Sequence, residues 1–369
     1  MRCGPNTVPI AASAGSGDVS VALPMAIRPP PATPLPGMVR AALTRMAAGT
    51  MLVAAECRCG KVRRQSARSG KAAQMDARGD EDAVAARRGG MAGLAGAGQA
   101  AALLRARYGS ASAPSDGIAV NDVLRTMLGH RSVRAFRPEP LPGGTLETLV
   151  AAAQSAATSS NLQTWSVVAV VDPARRARLA ELAGAQGFIR QAPLFLAWLA
   201  DLSRLGRVAR ERAEPLDGAR YLEAFMVALV DAALAAQNAA VAAESLGLGC
   251  VYVGALRNHP EAVAAELTLP PDCMAVFGLS VGVPDAARAA AVKPRLPQSV
   301  VLHRERYAAA READDVRRYD ADLAAFSARN GMGEAGWTDR VLARVGTVAA
   351  LRGRDRMRDA LRAMGFGLR

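Results

Sequence analysis

Five consecutive residues, His130-Arg131-Ser132-Val133-Arg134, put two guanidinium groups, an imidazole and a hydroxyl into one short stretch. Guanidinium forks match phosphate oxygens bidentately, so the stretch reads as half of a phosphate site. Far downstream, Lys293-Pro294-Arg295-Leu296-Pro297 offers a second basic pair stiffened by two prolines. Lys293 stands out because the other lysines, Lys61 and Lys71, both fall within the first hundred residues. Where Arg is the habitual cation, an isolated Lys suggests a site that wants a compact point charge. Solvated surface cations are the competing account of both clusters.

Two further stretches carry polar chemistry. Thr158-Ser159-Ser160-Asn161-Leu162-Gln163-Thr164-Trp165 packs hydroxyls and amides between a helix end and a strand. Such groups at the mouth of an apolar element supply donors and acceptors to a pocket, although a plain cap and turn would use the same residues. Gly247-Leu248-Gly249-Cys250-Val251-Tyr252-Val253-Gly254-Ala255-Leu256-Arg257-Asn258 is a strand bracketed by glycines, and Gly254 beside Ala255 lets backbone amides approach a flat ligand. The spacing is not that of a dinucleotide fingerprint. Cys57 and Cys59 lack a second pair of ligands, so no metal is expected.

The elements that must position these groups follow from periodicity and punctuation. Asn121 to Leu128 reads as a short helix, and Pro138, Pro140, Pro142 and Gly143-Gly144 enforce a loop before a helix capped by Thr145. Strands are expected at Trp165–Val171, Leu194–Leu199, Cys250–Val253 and Ala275–Val281. Helical periodicity marks Ala174–Ala183, Tyr221–Leu246, His259–Leu267, Arg304–Ala328 and Asp339–Met364. Strands are too few for a long βαβ array, so the expected class is α+β, a small, mostly antiparallel sheet wrapped by helices. The helix from Tyr221 to Leu246 is apolar nearly all round, but Asp231, Gln237, Asn238 and Glu244 interrupt it. It is expected in the core or at a subunit interface rather than in a membrane.

All seven Phe, three Trp and five Tyr of the 369-residue chain lie at or after Tyr108, so the earlier part has no large ring to anchor a core. It carries eight prolines between Pro5 and Pro36, an Arg/Lys run from Arg58 to Lys71 and a Gly/Ala stretch at Gly89–Gly98. Residues 1–115 are therefore expected to form a low-complexity, disordered extension, and 116–369 one globular domain. Met91 is an alternative start. The formal charge of +13 divides unevenly: the first 100 residues hold 13 basic and 6 acidic side chains, a net +7. The globular part is only mildly basic, which suits small anionic ligands at least as well as nucleic acid. A targeting peptide or a nucleic-acid arm remain alternatives for the extension. Five scattered cysteines form no disulfide framework, so a reducing, cytoplasmic compartment is expected.

Together, His-Arg-Ser-Val-Arg, Thr-Ser-Ser-Asn-Leu-Gln, the Ala-Ala-Glu-Ser-Leu-Gly-Leu-Gly run with Val-Tyr-Val-Gly-Ala-Leu-Arg-Asn, and Lys-Pro-Arg-Leu-Pro resemble the flavin-dependent nitroreductase family. The resemblance runs in order from Asn121 onwards and is strongest to the oxygen-insensitive NADPH nitroreductases and NADPH-flavin oxidoreductases. It implies an intertwined homodimer with FMN in a cleft made by both chains. His130, Arg131 and Ser132 would hold the FMN phosphate with Lys293 and Arg295, and Arg134 would support the pyrimidine edge of the ring electrostatically. Thr158, Ser159, Asn161 and Gln163 match the family's polar turn beside ribityl and ring, and Gln186 matches a glutamine that touches the cofactor. The segment Tyr252, Val253, Gly254, Ala255, Leu256, Arg257 would run along the ring, with an amide of Gly254 or Ala255 near N5.

No side chain is then needed as a catalytic acid or base, because the flavin carries the hydride. NADPH or NADH would donate, and nitroaromatics, quinones or free flavin would accept in the same place by two-electron ping-pong transfer. A flavin-binding protein of the same fold without turnover, or a nucleic-acid binder through the basic tail, are the alternatives. Two departures from the family pattern matter. Ala255 replaces a second glycine, and in Arg329-Asn330-Gly331-Met332-Gly333-Glu334-Ala335 only Arg329 survives of the arginines that grip the nicotinamide 2′-phosphate. Fewer charge-assisted contacts imply a weakened preference for NADPH over NADH.

Overall fold

Leu194-Phe195-Leu196-Ala197-Trp198-Leu199-Ala200-Asp201 is buried along its whole length, which requires cover on both faces of the sheet it belongs to. Successive side chains of a strand point to opposite faces. Accordingly Leu194, Leu196 and Trp198 pack into one core cluster and Phe195, Ala197 and Leu199 into another. The computed structural model describes residues 95–109, 118–310 and 312–369. Expectations about the start codon, the proline-rich and basic stretches and Cys-Arg-Cys fall outside these residues.

Four strands, β1 (Trp165–Val170), β2 (Leu194–Asp201), β3 (Gly249–Val253) and β4 (Cys273–Gly282), form one antiparallel sheet in the order β1-β2-β4-β3. The helices of the described residues are α1 (Ala95–Tyr108), α2 (Asp122–Leu128), α3 (Thr145–Gln154), α4 (Pro173–Leu182), α5 (Gly187–Gln191), α6 (Ser203–Arg212), α7 (Leu222–Ser245), α8 (Pro260–Glu266), α9 (Gln298–Val301), α10 (Glu312–Arg329), α11 (Trp337–Val345) and α12 (Met357–Ala363). Helices α3 and α7 cover the first face, and α4, α5 and α8 the second. This is the expected α+β class.

Helix α7 lies close against the sheet because its inner face is built of alanines. Ala228, Ala232, Ala235, Ala236, Ala239, Ala240 and Ala243 recur at helical spacing and are all buried. Its other side leaves Leu222, Met226, Leu229, Val230 and Leu234 exposed. The length and apolarity of α7 would suffice to cross a membrane. The alanine stripe packed on the sheet and the polar residues described below instead fit the core or interface helix expected from the sequence.

Four expectations need correction. Thr145 is the first residue of α3 and not its cap: Gly144 precedes it in the cap position, and the Thr145 hydroxyl donates back to the Pro142 carbonyl at 2.6 Å. Helix α1 lies inside the stretch read as disordered: Leu104 and Arg107 are buried, so ordered structure begins ahead of residue 116. A run of alanines with two leucines is enough for a helix once a neighbouring surface covers it, and composition alone weighs the missing aromatics too heavily. The helix expected over Arg304–Ala328 starts at Glu312, where Glu312, Asp314 and Asp315 favour the positive end of the helix dipole. The helix expected over Asp339–Met364 is broken after Val345. Arg352 and Gly353 both take left-handed backbone angles, with φ of 53° and 84°, and α12 begins only at Met357.

Candidate functional site

The His130–Arg134 segment leaves α2 and runs beside β3. Ser132 bridges Cys250 in parallel, and the Val133 amide donates to the Cys250 carbonyl at 2.9 Å. Gly249 is needed there, since a Cβ on it would stand 2.8 Å from the Val133 side chain. Strand-like alternation buries Val133 and Ala135 and leaves Ser132 and Arg134 on the opposite side. His130 is fixed by the Glu244 carboxylate of α7, 2.7 Å from Nδ1. A carboxylate can only accept, so Nδ1 carries the proton and Nε2 is left for a ligand.

The downstream basic pair meets this segment. A cavity of about 530 Å³ is lined by His130, Arg131, Ser132, Arg134, Arg288, Lys293 and Arg295, with Phe326, Asn330 and Met332 on another wall and no carboxylate. The Tyr319 hydroxyl donates to the Pro294 carbonyl at 3.2 Å, which fixes the turn between Lys293 and Arg295. Burial, and then repulsion from Arg134, Arg340 and Arg295, pushes the Lys293 ammonium below the ordinary lysine range. A concave surface of mutually repelling cations is built for an anion. The Cys250 thiol beneath it is pushed up to about 12 by burial, with Glu244 adding to the shift, so it is no nucleophile.

The polar turn is held by a residue that the sequence placed only as an interruption in α7. Asp231 is 1% exposed. It accepts from the Thr158 hydroxyl at 2.6 Å, the Ser159 amide at 3.1 Å, and the Thr164 amide and hydroxyl at 3.1 and 3.0 Å. The Gln163 amide donates back to the Thr158 oxygen at 3.0 Å. Within this ring Ser160, Asn161 and Gln163 take left-handed angles, with φ of 48°, 55° and 51°. Such strain persists only where surrounding bonds over-determine it. Asn161 and Gln163 are exposed and bond to each other at 3.2 Å. None of these turn residues lines the cationic cavity.

The remaining expected site residues divide. Tyr252 lies edge-on to Phe277 and its hydroxyl donates to Gln237 at 3.4 Å. The side chains of Val253 and Leu256 are buried in the core, which leaves only their backbone to a ligand. Arg257 turns inward to the Val276 carbonyl, at the bulge where β4 slips register against β2. Gln186 precedes α5, with its amide on the Ala183 carbonyl at 2.9 Å. The Phe188 ring lies 6.0 Å from the Arg134 guanidinium. Gly254 and Ala255 open the short 3-10 turn after β3.

Family comparison settles the assignment. The Nitroreductase family profile matches residues 127–283, and the profile of the Nitroreductase family, C-terminal domain, matches 293–369. An FMN reductase (NADPH) of Bacillus subtilis is 39% identical over 230 residues, 60% of this chain and 91% of that protein. The chain belongs to the nitroreductase family. An oxygen-insensitive NADPH nitroreductase of Salmonella typhimurium is 36% identical over 60% of this family member and 90% of its own length. Among solved structures, nitroreductase A of Vibrio parahaemolyticus is 33% identical with a TM-score of 0.61, covering 68% of this chain and all of that one. The NADPH:FMN oxidoreductase of Vibrio harveyi, in complex with NAD+, is 32% identical with a TM-score of 0.60 and the same coverage.

In this nitroreductase-family chain, Arg329 ends α10 and is exposed outside the cavity lining, whereas Asn330 and Met332 line it. The sequence missed Arg340. Its guanidinium fastens the 327–335 loop, donating to the Ser327 hydroxyl at 2.9 Å and to the Met332 and Ala335 carbonyls at 3.1 Å. The signal was present as a basic residue three positions into α11, but its direction depends on how the loop folds back.

Proposed function

We propose that this chain is an FMN-dependent NAD(P)H oxidoreductase that reduces nitroaromatics, quinones or flavin. The observation that carries the reading is the carboxylate-free cavity joining His130–Arg134 to Lys293 and Arg295. Its donor set fits a phosphate monoester: two forks, an ammonium and a hydroxyl, beside the His130 ring that Glu244 holds in place. Lys293, Arg295, Arg131, Ser132 and His130 hold the phosphate of FMN in this reading. Bound FMN supplies hydride transfer, so the protein needs no acid–base dyad.

The side chains bind, orient and set the field. Arg134, held near Phe188, would supply positive charge to stabilise the ring as it is reduced. The turn of Thr158, Ser159, Asn161 and Gln163 would offer fixed donors and acceptors to ribityl and ring, Gln186 would add an amide, and the Tyr252–Arg257 backbone would serve the ring. A nitro compound, NAD(P)H and one proton give a nitroso compound, NAD(P)+ and water; a quinone, NAD(P)H and one proton give the hydroquinone and NAD(P)+.

The chain acts as a homodimer through α7, whose exposed Met226, Leu229, Val230 and Leu234 form an apolar strip that one chain leaves uncovered. Such a dimer lets the polar turn of one copy complete the cavity of the other. With Arg329 as the one remaining 2′-phosphate arginine, NADPH and NADH serve within about tenfold of each other. Buried, unpaired Cys250 and Cys273 suit a reducing cytoplasm.

A visible spectrum of the purified chain, followed by NADPH and NADH oxidation with a nitrofuran and a quinone, tests the reading. Flavin bands and acceptor-dependent oxidation are expected. Bands without turnover leave only a flavin-binding protein, and a protein that stays colourless after FMN is added refutes both.

A further inference from the structure

Arg107 lies near the C-terminal end of α1, ahead of the first residue that either family profile matches. It is 7% exposed, unusual for an arginine that no carboxylate among the described residues bonds. A basic residue in the last turn of a helix ordinarily reaches its own free carbonyls or solvent. Arg107 reaches elsewhere. Nη1 donates to the Lys293 carbonyl at 2.9 Å, and Nη2 donates to the Leu128 and His130 carbonyls, each at 2.8 Å. Its own carbonyl accepts the Arg295 amide at 2.8 Å. Among the described residues no hydrogen bond joins His130–Arg134 directly to Lys293–Arg295, so the bonds of Arg107 to His130, Lys293 and Arg295 link the two halves of the cavity, with Leu128 anchoring the end of α2.

We infer that Arg107 is a positioning residue of the phosphate cradle, setting the spacing between the His130–Arg134 segment and Lys293–Arg295 and adding a buried positive charge behind them. The inference rests on the reading of that cavity as the FMN phosphate site. Three carbonyls in different directions suit a planar fork with several fixed donors and not an ammonium. Carbonyl partners satisfy the hydrogen bonds of the guanidinium, and the nearby Glu244 carboxylate offsets only part of the cost of burying its charge. Burial, with repulsion from Arg295, lowers its pKa, the signature of a cation that a nearby anion would relieve. The order of α1 is thereby coupled to the ligand: anything that seats α1 also closes the cradle.

The test uses the full chain stripped of flavin, titrated with FMN and with riboflavin, which has the same ring and ribityl chain but no phosphate. Wild type is expected to prefer FMN. In Arg107→Gln the FMN Kd should rise roughly 10- to 100-fold while the riboflavin Kd stays within about twofold, so the preference collapses. Arg107→Lys keeps the charge but not the fork, and should lie between the two. An unchanged FMN-to-riboflavin ratio in Arg107→Gln, or equal weakening of both ligands, overturns the inference. Should Arg107→Gln fail to fold, an unchanged ratio in Arg107→Lys overturns it instead. Wild type with no preference for FMN refutes the phosphate reading itself, and this inference falls with it.

Discussion

Replacing Asp231 by Asn changes one atom and inverts the bonding that holds the polar turn. Oδ2 accepts three hydrogen bonds, from Thr158 and from the amide and hydroxyl of Thr164, and Oδ1 accepts one from the Ser159 amide. If the Asn oxygen takes the position with three donors, its amide hydrogens face the Ser159 N–H, and one charge-assisted bond becomes a donor–donor contact. In the opposite orientation the buried Thr164 N–H is orphaned. Each lost bond to a charged acceptor is worth about 1.5–3 kcal/mol, and an orphaned buried donor adds about 1–3 kcal/mol. The expected cost is therefore about 3–5 kcal/mol of unfolding free energy, out of a typical total of about 5–15. Once the ring opens, the left-handed Ser160, Asn161 and Gln163 lose what holds them, so flavin binding should weaken with stability. Urea denaturation of Asp231→Asn and wild type, each with and without saturating FMN, measures both effects. A loss below about 1 kcal/mol would show that solvent or rearranged hydroxyls satisfy the turn equally well, and the positioning role of Asp231 would be refuted.

Three further outcomes follow from the site. Lys293 holds phosphate only when protonated and its pKa is depressed, so FMN affinity should fall as pH rises through a range below that of a free lysine, where the phosphate charge no longer changes. Kd values across this range should rise with pH for wild type and stay flatter for Lys293→Arg; a flat wild-type profile contradicts the placement. Gly249→Ala forces its Cβ into Val133 and should cost about 1–3 kcal/mol while weakening FMN binding, read by thermal melts and titration. Met226→Glu puts a charge into the exposed apolar strip of α7 and should give monomers in sedimentation, together with flavin loss; a flavin-loaded dimer would place the interface elsewhere.

The sequence carried the sheet because each strand is an apolar run of strand length, with β-branched or aromatic residues, between turn residues, and these signals are local. It also carried the union of His130–Arg134 with Lys293 and Arg295, through shared chemistry and family likeness. What it lacked was direction. Arg257 belongs to a motif expected at the ring, yet the β4 bulge at Val276 supplies a buried carbonyl that captures its guanidinium. A register slip in another strand leaves no mark near Arg257. Helix α1 was invisible for a different reason: Arg107 becomes informative only when Leu128, His130 and Lys293 have been brought to it.

The four polar residues that interrupt α7 tie these observations together. Asp231 grips the polar turn, Gln237 meets Tyr252, Asn238 donates to the Ala152 carbonyl of α3 at 3.2 Å, and Glu244 fixes His130. Each reaches a different element, and three of the four reach a motif expected in the flavin site. Between them the alanine stripe holds the helix close to the sheet, where a larger side chain would lengthen every one of these bonds. The same helix presents its apolar strip outward. A helix that carries both the proposed subunit contact and the anchors of the turn and the phosphate segment couples the two: shifting α7 to suit a partner moves Asp231 and Glu244 with it. Flavin affinity and dimer stability in this chain should therefore rise and fall together, because one rigid element serves both.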